Sequence, residues 1–95
     1  MPWSVEFTSK AAKMTAKLPP RIQERLNALR KAIEIRGPLQ HSMAHFGKLS
    51  GWVNETYHCH LNKGRPTYVA VWQVKDRAVC LVEVIYAGTH EKAPY

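Results

Sequence analysis

The hydrophobic positions of this chain change their spacing several times, and each change marks an element. Trp3, Val5 and Phe7 alternate with Ser4 and Glu6, the period of two that puts alternate side chains on one face of a half-buried strand. Thr8 or Ser9 then caps a short helix running through Lys17, with Ala11, Met14 and Leu18 on its apolar side. Leu18-Pro19-Pro20 interrupts it. Pro20 is suited to open a second helix, because the N–H that proline lacks has no partner in a first helical turn. Ile22, Leu26, Leu29 and Ile33 recur at helical spacing and give that helix one buried stripe, until Gly37-Pro38 stops it.

Residues 39 to 51 keep no period and end in glycine-bearing turn signals, which predicts a loop with room for a helical turn. Beyond it lie three predicted strands, Trp52 to Leu61, Thr67 to Val74 and Ala78 to Ala87. Their joints, Asn62 to Pro66 and Lys75-Asp76-Arg77, are short enough for antiparallel hairpins. The order of strand, two helices and a three-stranded antiparallel meander is an α+β fold in one domain spanning residues 1–95. Both helices hide their stripes only by packing on one face of the sheet, which leaves the other face for a ligand.

Parity decides which residues reach that second face. In the strand before the basic turn, Val53, Tyr57, Cys59 and Leu61 form the more apolar set, so Asn54, Thr56, His58 and His60 point the other way. In the next strand Val69 and Val71 oppose Tyr68, Ala70 and Trp72, and both sets are apolar enough for a core. Trp52 and Trp72 read as core residues.

Charge narrows the partners. Fourteen Lys and Arg against seven Asp and Glu give a formal charge of +7, which favours polyanions such as nucleic acid or an acidic protein. Eight of the cations lie in the first 36 residues, where a solvated helical surface is the plain explanation. Cys59 and Cys80 belong to no CxxC pair and make no disulfide framework, which fits a reducing, cytoplasmic setting. No stretch approaches the roughly 18 apolar residues of a membrane span, and the start has no secretory-signal pattern.

The last third carries the chemistry. His58 and His60, the cations Lys63 and Arg65 of the basic turn, and the closing Gly88-Thr89-His90-Glu91-Lys92-Ala93-Pro94-Tyr95 are predicted on one sheet. Imidazole exchanges protons near neutral pH, and Lys and Arg steady a phosphate's charge. RNA brings its own nucleophile, the 2′-hydroxyl. Cleaving it needs a base for that proton, an acid for the leaving 5′ oxygen, and cations for the charge building on phosphorus. His60 and His90 are the candidate proton-transfer pair, with Arg65 and Lys63 as phosphate clamps. Tyr95 and Tyr68 are placed to stack on a base or bond a phosphate oxygen, and Lys48 to reach the same backbone from the loop. The plain alternative for each is a surface histidine, a solvated cation or a frayed terminus. A His-x-His pair with a third histidine is also how a zinc site begins, but no carboxylate follows at a matching spacing and the surroundings are basic. No metal or cofactor is therefore assigned.

Gly47-Lys48-Leu49-Ser50-Gly51 before the sheet, the element order and the short C-terminal motif together resemble the RelE/ParE superfamily of bacterial toxin–antitoxin toxins, over nearly the whole chain. Within it, Cys59-His60-Leu61, Tyr68 to Trp72 and Gly88-Thr89-His90 look most like the YafQ branch, whose members cut mRNA on the ribosome. The resemblance implies a metal-free endoribonuclease with site histidines at His60 and His90, a looser third match at His45, and a terminal aromatic at Tyr95. His58 is added as an RNA contact beside His60. Two departures stand out. Tyr95 lies five positions beyond His90, with Pro94 between, and the hairpin Asn62 to Pro66 lacks the branch's acidic residue, looking closer to the cationic site of RelE. The resemblance further implies a cognate antitoxin, mRNA on the ribosome as substrate, operator DNA reached only through the antitoxin complex, and no membrane partner. It leaves two alternatives open, a ParE-like toxin that binds DNA gyrase and a degenerate nucleic-acid-binding regulatory module.

Overall fold

Thr8 begins the first helix, its Oγ1 accepting the Ala11 N–H at 3.0 Å and so satisfying one of the donors that a helix start leaves open. The computed structural model describes residues 2–95. Along the chain follow β1 (Ser4–Phe7), α1 (Ser9–Ala16), α2 (Pro20–Arg36), β2 (Gly47–Leu49), β3 (Thr56–His60), β4 (Tyr68–Asp76), β5 (Leu81–Thr89) and a 3-10 turn at His90–Lys92. Pro20 opens α2 in its first turn, and Gly37 ends it with a φ of 91°, in the left-handed region where a side chain is strained.

The five strands form one mixed sheet in the order β1-β5-β4-β3-β2, with β1 parallel to β5 and the other pairs antiparallel. The predicted α+β class holds, and three details change. Residues 47–49, read as loop, form β2 against β3, with Gly47 opposite His58 and Leu49 opposite Thr56. A three-residue strand is too short to show a period and owes its existence to its partner. The strand predicted from Trp52 begins only at Thr56, with Val53 fully exposed and Trp52 37% exposed rather than in the core. The last turn falls at 77–80 instead of 75–77, where Asp76 Oδ1 accepts the Ala78 N–H at 2.9 Å and Cys80 takes a φ of 54°. The apolar Ala78 and Val79 imitate a strand in sequence and occupy this turn instead.

The α2 stripe of Ile22, Leu26, Leu29 and Ile33 is buried against Tyr57, Cys59, Ala70, Trp72, Val82 and Val84. Each such aliphatic side chain contributes about 1.5–3 kcal/mol on full burial. Trp72 is wholly buried, and its Nε1–H donates to Pro38 O at 3.0 Å, so the one polar atom of the ring is satisfied.

The other face is not bare. Val69, Val71 and Tyr86 are buried there with Met14, Leu49 and Ala93 around them. The parity of β4 was ambiguous in sequence because both of its faces are covered, one by the main helical core and one by a smaller cluster that takes in Met14 of α1 and the C-terminal segment. Among the described residues no helix is long and apolar enough to cross a membrane.

Candidate functional site

The imidazoles of β3 leave the sheet on the face away from the helices. His60 lies opposite Val69 and His58 opposite Val71, both members of the smaller cluster. His60 also anchors the preceding loop, its N–H donating to Ala44 O at 2.8 Å. The next residue, His45, has a φ of 55°, uncommon for a residue with a Cβ although histidine visits it more than most. Its ring stacks on His60 with centroids 4.1 Å apart and planes 23° from parallel.

The third ring arrives from the end of β5. The His90 N–H donates to Thr67 O at 2.8 Å, tying the start of the 3-10 turn to the β3–β4 hairpin. There the His90 ring meets His60 edge-on, 5.4 Å between centroids. The hairpin is itself fixed by side chains. Asn62 Oδ1 accepts the Tyr68 N–H at 2.8 Å, and the Thr67 hydroxyl donates to Gly64 O at 2.9 Å. The chain then returns through Ala93 and Pro94, and Tyr95 lies 5.9 Å from His90 and 4.6 Å from His58 by ring centroids. The extra residue between His90 and Tyr95 therefore does not carry the phenol away from the histidines.

Between the hairpin and the 3-10 turn opens a cavity of about 480 Å³, lined by His60, Arg65, Pro66, Thr67, Thr89, His90 and Glu91. Lys63 joins His45 and His60 around an adjoining hollow. Arg65, His60 and His90 thus share one chamber, with Lys63 and His45 beside it. Thr67, Thr89 and Glu91 line the chamber without having been singled out from sequence. For Thr89 the signal was its place in Gly88-Thr89-His90, whereas Thr67 and Glu91 carried none.

Two candidates lie elsewhere. Lys48 pairs with Tyr57, a core residue on the helix side, so its side chain leaves β2 on the face opposite the imidazoles. Tyr68 also belongs to the helix-side set, packs against the main core, and lines a separate cleft with Arg21 and Arg25.

Electrostatics follow from crowding. Burial lowers the His60 pKa from its ordinary value, and the neighbouring His45, His90 and His58 lower it further. His58 is lowered for the same leading reason, then by His90 and His45. Its Nδ1 is buried without a hydrogen-bond partner among the described residues, which fits a ring kept uncharged. Gly47 makes this possible sterically, because a Cβ there would stand 3.0 Å from His58 Nε2. Burial pushes the Tyr95 phenol up, so it stays protonated as a hydrogen-bond donor. Burial likewise raises the Cys59 thiol to about 12, leaving it a small apolar core residue rather than a nucleophile. Among the described residues no group of three His, Cys, Asp or Glu side chains is arranged to hold a metal ion.

No protein-family model matches the sequence, and no curated protein matches it. Solved structures do match in fold. The chain resembles the structure described as the archaeal RelE-RelB complex from Pyrococcus horikoshii OT3, with a TM-score of 0.76 at 17% identity, covering 98% of this chain and 100% of that one. A mutant of the Escherichia coli toxin RelE in the free state gives a TM-score of 0.74 at 24% identity, over 98% of this chain and 88% of that chain. The E. coli DinJ-YafQ toxin-antitoxin complex gives 0.74 at 15% identity, with both chains covered in full. At such identities the likeness establishes the fold, and this chain has the RelE fold.

Proposed function

We propose that this RelE-fold chain is the toxin of a toxin–antitoxin pair and acts as a ribosome-dependent endoribonuclease that cuts mRNA without a metal. The observation that carries the reading is the meeting of His60 and His90, 5.4 Å apart by centroid, in a chamber that also holds Arg65. That is one pair of proton-transfer groups and one cation around a space large enough for a phosphodiester.

The division of labour follows from environment. His60, held uncharged by burial and by its neighbours, takes the 2′-hydroxyl proton as general base. His90 gives a proton to the leaving 5′ oxygen. Arg65, with Lys63 beside it, balances the charge that develops on the non-bridging oxygens. Tyr95, a protonated phenol against His90 and His58, supplies a hydrogen bond or a stacking surface at the chamber's edge. A chamber of about 480 Å³ encloses little of an RNA strand, so positioning by the ribosome supplies what the protein does not; such alignment is worth about 7–11 kcal/mol in favourable cases.

An antitoxin partner is supported by analogy, since two of the solved RelE-fold structures above are complexes with RelB and DinJ. A cytoplasmic site of action follows from the substrate. The test is a reconstituted translation reaction read by primer extension. Cuts at defined codons, reduced about 10²- to 10⁴-fold in His60→Ala and in His90→Ala, support the reading. Intact message together with blocked DNA supercoiling would replace it with a gyrase-binding toxin, and neither effect would leave a binding module.

A further inference from the structure

A second concavity, larger than the imidazole chamber at about 750 Å³, opens between the N-terminal turn of α2 and the β3–β4 hairpin. Four cations rim it, Arg21 and Arg25 from the helix and Lys63 and Arg65 from the hairpin, and among the described residues no carboxylate lines it. Its walls are apolar, built from Pro19, Ile22, Pro66 and the ring of Tyr68. Arg25 is held in place by an Nη1–H bond to Leu61 O at 3.1 Å, while Arg21 is exposed with no side-chain partner among the described residues. Arg65 and Pro66 line both this cleft and the imidazole chamber, so the two concavities adjoin across a single hairpin tip.

We infer that this cleft is a flanking-nucleotide subsite for single-stranded RNA, taking the message on one side of the scissile phosphate. The inference rests on the proposed function. Three features favour RNA over other polyanions. Arg65 is shared with the chamber and Lys63 with the hollow beside it, so the cations of the cleft continue into the site, as a polymer with a charge at every residue requires. The cleft combines guanidinium groups with a flat aromatic wall, the pairing that holds a phosphate and stacks a base. Its continuity with the chamber also makes the occupant the same strand whose phosphate lies between His60 and His90. Tyr68, which faces away from the imidazoles, thereby acquires a role as a base platform one or more nucleotides from the cut rather than at it.

The test uses the full chain and 2′-O-methyl oligoribonucleotides, which lack the free 2′-hydroxyl and cannot be cut. Affinities are measured by fluorescence anisotropy for a trimer and an octamer across a salt series. The octamer should bind tighter than the trimer, and Arg21→Gln should weaken the octamer about threefold or more at low salt with the trimer unchanged. The variant should also flatten the octamer's log K against log salt slope by about 0.7, the value for one lost single-strand phosphate contact. Arg21 is an exposed side chain, so the variant folds, and a coincident melting curve verifies it. An octamer that binds no tighter than the trimer, or an Arg21→Gln loss equal for both lengths, overturns the subsite. So does weaker binding of the variant to message-free ribosomes with oligomer affinity unchanged, which makes the cleft a ribosomal-RNA contact. An acidic amphipathic peptide that shifts the amide resonances of Arg21 and Tyr68 where the octamer does not reassigns it to a protein partner. Message cutting by the wild-type chain is scored separately, so loss of the subsite with cutting intact leaves the proposed function standing.

Discussion

Replacing Gly88 by alanine tests how the third histidine is held. A Cβ at this position would stand 2.9 Å from Tyr86 Oη, closer than a Cβ tolerates, and 3.0 Å from Met14 Cε and 3.1 Å from Tyr86 Cζ, tight contacts from which the neighbours must give way. The Tyr86 ring is 6% exposed and its hydroxyl donates to Thr89 O at 2.6 Å, so it has little room to swing aside without losing that bond. Overpacking of this kind costs about 1–3 kcal/mol and the lost hydrogen bond about 0.5–1.5 kcal/mol. A total of about 2–4 kcal/mol, at 4–8 °C per kcal/mol for a domain of this size, lowers the melting temperature by roughly 8–32 °C. Circular dichroism melts of Gly88→Ala, Tyr86→Phe and the double variant complete a thermodynamic cycle. Because the phenylalanine removes the nearest clashing atom, alanine should cost at least about 1 kcal/mol less in that background. A Gly88→Ala protein that melts within about 2 °C of wild type, or strictly additive losses, refutes the claim that Tyr86 braces the Thr89-His90 corner.

Three further outcomes are expected. His58 and His60 have folded-state pKa values below the unfolded value, so the folded protein binds fewer protons than the unfolded one. Their contribution is fully present above pH about 6.5 and is lost as pH falls from there through the folded values, so the urea midpoint should drop on acidification, and less in a His58→Gln/His60→Gln variant; a midpoint flat from pH 7 to 5 contradicts this. Ile33→Ala, at a wholly buried position of the α2 stripe, should cost about 2–5 kcal/mol in urea unfolding, and a loss under about 1 kcal/mol would mean the core closes around the gap. Treatment with a zinc chelator that spares magnesium should leave the rate of message cutting unchanged, whereas its abolition would bring back the metal reading of the His58 and His60 pair.

The parts of this molecule that the sequence discloses are those determined by near neighbours. The Thr8 cap, Pro20 at the start of α2 and the stop at Gly37 are local chemistry, and the structure has all three. The alternation through Tyr57, Cys59 and Leu61 likewise put His58 and His60 on one face. What stayed hidden depends on partners distant along the chain. β2 exists because β3 pairs with it, and without it the face taken by Lys48 had no reference. Tyr68 was undetermined because both faces of β4 are apolar, which reflects the second cluster around Val69, Val71 and Tyr86. The stack of His45 on His60 needs a backbone bond from β3 to Ala44 and a left-handed φ, and neither leaves a mark in composition or spacing. Trp52 illustrates the reverse error, a large aromatic read as core that the loop leaves exposed.

The central claim, that His60 and His90 drive attack by the RNA's own 2′-hydroxyl, meets its most direct test in a message carrying one 2′-deoxynucleotide at the cleaved position. In the reconstituted translation reaction that message should remain whole while its all-ribose counterpart is cut to a 2′,3′-cyclic phosphate end. Cutting of the deoxy-substituted message at an undiminished rate would mean that water or another nucleophile does the work, and the imidazole pair would lose the role given to it.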